Sequence, residues 1–121
     1  MTIRDSTLSS NGATTDGGTV FVAGNSRLVL ERCLVEFSVA EFNGGAVAAT
    51  LFGSVTAVDC VFHQNVATIG VGGALAGDQR TSFNISGCDF GNNVAEVGGA
   101  ASFAGLATGV IRGTLCASGS V

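Results

Sequence analysis

Four cysteines, a row of charges and a single histidine hold the chemistry of this chain, and they recur at nearly constant intervals. Cys33, Cys60, Cys88 and Cys116 follow one another at sequence intervals of 27, 28 and 28. Such a set admits disulfides, a zinc site or a row of buried thiols. Asp5, Arg32 and Asp59 stand immediately before Ser6, Cys33 and Cys60, with Arg4 and Glu31 one residue earlier. Asp5 and Asp59 are the kind of carboxylate pair that an inverting glycoside hydrolase uses as acid and base. Glu36 and His63, each three residues after a cysteine, form a second acid-base candidate. Asn84-Ile85-Ser86 is an N-glycosylation sequon, which matters only in a secreted eukaryotic protein. None of these groups meets its equivalent unless the fold superposes residues 27 or 28 positions apart.

The rest of the sequence supplies that superposition as an internal repeat. Ser6 precedes Cys33 by the same interval of 27 and stands in an equivalent context. Two positions after this column come Leu8, Val35, Phe62 and Phe90, and five after it come Asn11, Ser38, Asn65 and Asn93. Gly-Gly pairs follow at 17–18, 44–45, 72–73 and 98–99. Segments 28–30, 55–57 and 83–85 alternate with period two, which predicts strands with every second residue facing a core. A second strand begins at each cysteine, as at 60–62, with the cysteine and the residue two later pointing inward. A third follows each Gly-Gly pair, as at 46–49 and 74–76, and either of its small, apolar faces suits burial. One coil of three short strands cannot bury an apolar face, whereas stacked coils give every strand a parallel partner ~4.8 Å away. The expected fold is all-β, a parallel β-helix (β-solenoid) of four to five coils of 27–28 residues, forming one segment over residues 1–121 anchored at Ser6, Cys33, Cys60, Cys88 and Cys116. Helical repeats would need 3.6-residue periodicity and good helix formers, and these segments are brief and glycine-bounded.

Superposition then discriminates among the chemistries. Equivalent cysteines ~4.8 Å apart with parallel Cα–Cβ vectors exceed the ~3.8 Å Cβ separation of a disulfide. Four ligands in a line do not surround a tetrahedral zinc ion. The column therefore reads as a ladder of buried thiols, with no metal and no cofactor expected. Asn11, Asn65 and Asn93, interrupted by Ser38, stack at one corner and are expected to satisfy turn amides. The Gly-Gly pairs supply positive φ or close backbone approach at a second corner. Arg32 falls between Asp5 and Asp59 in successive coils, a surface charge ladder that favours correct register over a slipped one. As weaker catalytic candidates, Asp5 and Asp59 would lie ~9.6 Å apart, at the upper edge of the ~6.5–9.5 Å of inverting glycosidases. Glu36 and His63 would share the outer surface. With Phe83 and Ile85 facing the core, Asn84 faces out.

Composition narrows the partners. With 46 % hydrophobic residues, 19 glycines and no proline, tryptophan or tyrosine, the chain is too apolar for disorder. Its glycines follow no Gly-X-Y period, which excludes collagen. A net charge of -4 with five arginines and no lysine leaves no basic stripe for nucleic acid. No run approaches the ~18 apolar residues of a membrane-spanning helix, and residues 1–6 lack the apolar stretch of a signal peptide. A sugar cleft would have only phenylalanine as a platform, and most phenylalanines fall at expected core positions. Neither end carries an amphipathic helix or a charged cap, so a piece of a longer solenoid, or end-to-end self-association, is expected.

Gly44-Gly45-Ala46-Val47 and Gly72-Gly73-Ala74-Leu75, together with the Phe-x-x-Asn segments from Phe62 to Asn65 and Phe90 to Asn93, resemble the repeats of polymorphic outer-membrane proteins, autotransporter passengers. More broadly they are similar to right-handed parallel β-helix proteins of the pectin lyase-like fold. The resemblance covers nearly the whole chain, with departures at Leu8, Thr19, Val35 and Ser38. It implies a right-handed coil, an extracellular or cell-surface location and an adhesin-like role, in which loops such as 14–16, 41–43 and 68–71 meet a protein or glycan ligand. The expected function is a non-enzymatic interaction scaffold. The alternative is a piece of a pectate lyase-like polysaccharide lyase or a glycoside hydrolase, since related enzymes place carboxylates, or calcium ligands with a basic residue, on adjacent coils. Coil lengths that differ by one residue leave no long loops to wall a cleft, which favours the scaffold.

Overall fold

The structure, a computed structural model, describes residues 1–113 together with the backbone of Leu115 and Cys116. The described residues contain no helix, and their strands stack into four parallel sheets. Sheet A comprises Thr2–Arg4, Arg27–Glu31, Ser54–Val58, Ser82–Ser86 and Thr108–Arg112. Sheet B comprises Thr7–Ser9, Leu34–Glu36, Val61–His63, Asp89–Gly91 and Leu115–Cys116. Sheet C holds the two-residue strands Gly12–Ala13, Val39–Ala40 and Val66–Ala67. Sheet D holds Val20–Val22, Val47–Ala49, Leu75–Gly77 and Ala101–Phe103. This is the expected parallel β-solenoid, of about four turns. It differs in having the short sheet C between the second and third expected strands.

Register follows the repeat until the last coil. Val29 pairs with Thr56, Thr56 with Asn84 and Asn84 with Val110, so the interval from coil to coil is 27, then 28, then 26. Coil length therefore varies by two residues rather than one. The shortening lies between the bridges Val66↔Val94 and Val71↔Val97, where the turn into sheet D loses two residues. In consequence Phe90 pairs with Cys116. Cys116 thus joins the row of Leu8, Val35, Phe62 and Phe90, and the expected fourth cysteine of the Cys33, Cys60, Cys88 column is corrected to this position. Its side chain lies outside the described residues.

The corners explain both the sharp edges and the glycines. Between sheets A and B one residue per coil turns the chain with positive φ: Asp5, Arg32 and Asp59 at 50°, 50° and 52°, then Gly87 and Gly113 at 61° and 54°. Between sheets B and C the same is done by Ser10, Phe37, Gln64 and Asn92, at φ of 53–58°. One left-handed residue redirects a strand without a loop, at ~1–2 kcal/mol when it is not glycine. At the entry to sheet D the two glycines have separate tasks. Gly17, Gly44, Gly72 and Gly98 take φ of +61° to +67°. A Cβ on Gly18, Gly45 or Gly73 would instead strike the carbonyl oxygen of Gly45, Gly73 or Gly99 in the next coil.

The core is one apolar column enclosed by sheets A, B and D. Phe62 and Phe90 stack in it with centroids 5.0 Å apart and planes 10° from parallel. Where sheet D turns into sheet A, facing residues exchange size between the third and fourth coils, Gly77 against Phe83 and then Phe103 against Gly109. A Cβ on Gly77 would lie 2.6 Å from the Phe83 ring, and one on Gly109 would strike the Phe103 ring. The two phenylalanines also touch each other, with centroids 4.9 Å apart. Large and small have exchanged strands between these two coils, which keeps the packed volume of the pair constant.

Candidate functional site

The cysteine column lies in the core. Cys33, Cys60 and Cys88 are buried and free of disulfides, and their thiols donate to the carbonyls of Glu31, Val58 and Ser86 at 3.3–3.4 Å. The backbone N–H of Cys60 donates to the Cys88 sulfur at 3.4 Å. The Cys88 thiol is pushed well above its ordinary range, first by its hydrogen bond to the Cys60 side chain and then by burial. Among the described residues no three His, Cys, Asp or Glu side chains converge on a point that would hold a metal ion.

The asparagine column is a ladder of side-chain to backbone bonds. Asn65 is fully buried; its Oδ1 accepts the Ser38 N–H at 3.1 Å, and its Nδ2 donates to the Val35 carbonyl at 3.0 Å and to Asn93 Oδ1 at 3.0 Å. Asn93 Oδ1 also accepts the Asn65 N–H at 3.0 Å, and Asn93 Nδ2 reaches the Phe62 carbonyl at 2.9 Å. Asn11 sits in the same column but is exposed, and its Nδ2 donates to Thr19 Oγ1 at 3.5 Å. Ser38 meets that same hydroxyl at 2.6 Å, which bridges the interruption.

The charged candidates stand on a convex edge. Arg32 donates to both oxygens of Asp5, at 2.6 and 3.1 Å, and Arg4 pairs with Glu31 at 2.7 Å. The Arg32 hydrogen bond holds the Asp5 carboxyl below its usual range, and the same bond raises Arg32. Asp59 acts on Arg32 only as a more distant charge. Asp5 and Asp59 are thus unequal partners of one cation, on the two-residue corner between sheets A and B. Glu36 and His63 share a row of sheet B, yet the ring's contact is with Asn92 Nδ2, at 3.4 Å. Asn84 is exposed, between the buried Phe83 and Ile85.

The loops 14–16, 41–43 and 68–71 end in Asp16, Asn43 and Val71, which line a groove over sheet D that sequence reasoning did not foresee. Phe21, Ala48, Ala76 and Ser102 share one outward row. Outward alanines on a flat sheet stand open to solvent, but Ala48 and Ala76 are only 4 % and 5 % exposed. The turns on either side rise above them. Asp16, Asn43 and Val71 form one wall, and Thr50, Asp78 and Gln79 the other, around a space of about 240 Å³. Phe21, 52 % exposed, stands at one end. The polar wall groups are each fixed by a backbone N–H. Asp16 Oδ1 accepts from Asn43 at 2.8 Å, Asn43 Oδ1 from Val71 at 3.2 Å, and Asp78 Oδ1 from Gln79 at 2.7 Å. Asp16 belongs to the first coil and Asp78 to the third, so they lie ~9.6 Å apart along the axis, with the width of a strand added across it.

Two further surfaces differ from expectation. Phe21, Phe37, Phe42 and Phe52 are exposed, so phenylalanine is less confined to the core than its column positions indicated. Beside the groove, Val39, Phe42, Ile69, Val94 and Val97 expose apolar surface on sheet C and the turn that follows it. No helix among the described residues is long and apolar enough to cross a membrane.

No protein-family model, curated protein or solved structure matches this chain.

Proposed function

We propose that this chain is a non-enzymatic interaction scaffold, an adhesin-like β-helix segment that acts outside the cell or at its surface. The observation that carries this reading is the placement of its ionisable groups. Asp5 is neutralised by Arg32 on a convex corner, and Glu36 and His63 stand on a regular strand face. The groove carboxylates occupy opposite walls two coils apart, beyond the ~6.5–9.5 Å that an inverting pair spans and well beyond the ~5–5.5 Å of a retaining pair. A preorganised groove next to an apolar stripe of the kind that marks interaction sites supports the reading. The motifs that resemble polymorphic outer-membrane repeats support the same location and role, and with them a right-handed coil. Self-association end to end belongs to this proposal as well.

The test is an incubation with soluble polysaccharides, neutral and polygalacturonate, followed for new reducing ends and for the ultraviolet absorbance of unsaturated sugars. Sedimentation velocity on the same sample reports self-association. Binding without turnover is the expected result. Turnover that disappears in Asp5→Asn or Asp59→Asn would favour the fragment of a lyase or hydrolase.

A further inference from the structure

Resting on the scaffold reading, we propose that the groove over sheet D binds a short stretch of a neutral oligosaccharide. Its hydroxyls meet Asp16, Asn43, Asp78 and Gln79, its apolar C–H face lies on Ala48 and Ala76, and Phe21 packs against one ring at the end. The concavity is real in the sense that matters for a ligand, because it shades two outward side chains nearly completely. Its polar atoms are held in place before any ligand arrives. With one oxygen of Asp16 and of Asp78 engaged by a backbone N–H, each carboxylate keeps a second oxygen as an acceptor. With its Oδ1 engaged by Val71, Asn43 turns its amide donors the other way. A wall of acceptors and donors suits hydroxyl groups, which act as both. Rigid polar groups also lose less entropy on binding.

Other ligand classes fit less well. Two carboxylates and no arginine line the groove, so uronate, sulfate and phosphate chains are repelled. An extended peptide binds a sheet chiefly by adding a strand to a free edge, but Val47–Ala49 and Leu75–Gly77 are paired on both sides. A volume of about 240 Å³ falls below the ~300–1,000 Å³ of enclosing pockets, which fits one segment of a longer chain lying across the surface. The lack of tyrosine and tryptophan counted against a sugar site in the sequence, and the exposed Phe21 removes that objection.

The experiment is a 1H–15N NMR titration of the intact chain with cellotriose, maltotriose, mannotriose and triacetylchitotriose, with trigalacturonate as the anionic control. At least one neutral trisaccharide is expected to give saturable shifts at the amides of Ala48, Ala76 and Gly77, and trigalacturonate none. Phe21→Ala and Asn43→Ala, the first exposed and the second half-buried, both verified as folded by circular dichroism, are expected to weaken that binding about five- to tenfold each. Ala48→Leu, which fills the groove, should abolish it. The proposal is overturned if no neutral trisaccharide shifts these amides at millimolar concentration, or if the variants bind as the parent does. Shifts confined to another face would also overturn the groove while leaving the scaffold intact. Cleaved sugar in the sample would overturn the scaffold reading itself.

Discussion

Replacing Asn65 by alanine should be among the most damaging single changes in this protein. The side chain connects three coils. It accepts the Ser38 N–H from the second coil, donates to the Val35 carbonyl of that coil and donates to Asn93 of the fourth. Alanine removes three bonds and strips a buried amide of its acceptor. Each bond contributes ~0.5–1.5 kcal/mol net, and leaving a buried donor unsatisfied costs ~1–3 kcal/mol. A loss of about 3–5 kcal/mol follows, a large part of the ~5–15 kcal/mol that holds a typical domain together. Urea unfolding followed by far-ultraviolet circular dichroism measures it, with Asn11→Ala as control, because Asn11 is exposed and makes one long bond at 3.5 Å. That control should cost no more than ~0.5 kcal/mol. Asn65→Asp adds a sharper check. A buried carboxylate facing Asn93 Oδ1 and the Val35 carbonyl has its folded-state pKa raised, and only its protonated form donates. The folded state then binds more protons than the unfolded one, so this variant should gain stability as pH falls towards the unfolded aspartate value of ~3.9. A loss below ~1 kcal/mol for Asn65→Ala, or equal effects at Asn11 and Asn65, would refute the ladder as a source of stability.

Gly77→Ala should destabilise by ~1–3 kcal/mol through collision with the Phe83 ring and Thr81 Oγ1. Phe83→Leu in the same chain should recover part of that loss, a coupling that a double-mutant cycle measures. The depressed Asp5 carboxyl makes its pairing with Arg32 a contribution that is present above ~3.9 and lost as pH falls through the lower folded value. The difference in melting temperature between the parent and Asp5→Asn should therefore shrink in acid and also in high salt, where an exposed pair is screened. In a Cys116→Ser background, Cys33, Cys60 and Cys88 should resist a thiol-reactive chromogen until the chain is unfolded, since all three are buried. Fast labelling of the native protein would contradict the core position of the column.

The repeat was legible because its landmarks are steric requirements. Gly44 and Gly45 cannot be replaced without a backbone collision, so the glycine pair recurs in every coil, and Asn65 cannot lose its side chain without orphaning an amide, so asparagine recurs in every coil but the second. Position within a coil was less secure where a turn changed length. Gly98 follows Gly72 at an interval of 26, the signal that the last coil is short. The interval of 28 from Cys88 to Cys116 overrode that signal and overshot by the two residues missing from the turn. Sheet C carries no sequence signal because a two-residue strand has no period, and the left-handed residues before it, Ser10, Phe37, Gln64 and Asn92, share no residue type.

The groove was illegible for a different reason, and the cause also fixes where it lies. Strand 47–49 is Val-Ala-Ala, and alternation cannot choose a face when both are small and apolar. Concavity in a solenoid comes from what flanks a sheet. Sheets A and B are joined by two residues per coil, as are B and C, one of each two with positive φ, and corners this short have no bulk to rise above a strand. Sheet D alone has several residues on both sides, 41–46 before Val47 and 50–53 after Ala49. Its small outward alanines then form a floor between two walls, whereas a larger residue there would have filled the space, as Phe21 does at the groove's end. Turn length combined with an outward row of small side chains is therefore what locates the groove in this chain, whereas the charged columns lie on corners too tight to form one.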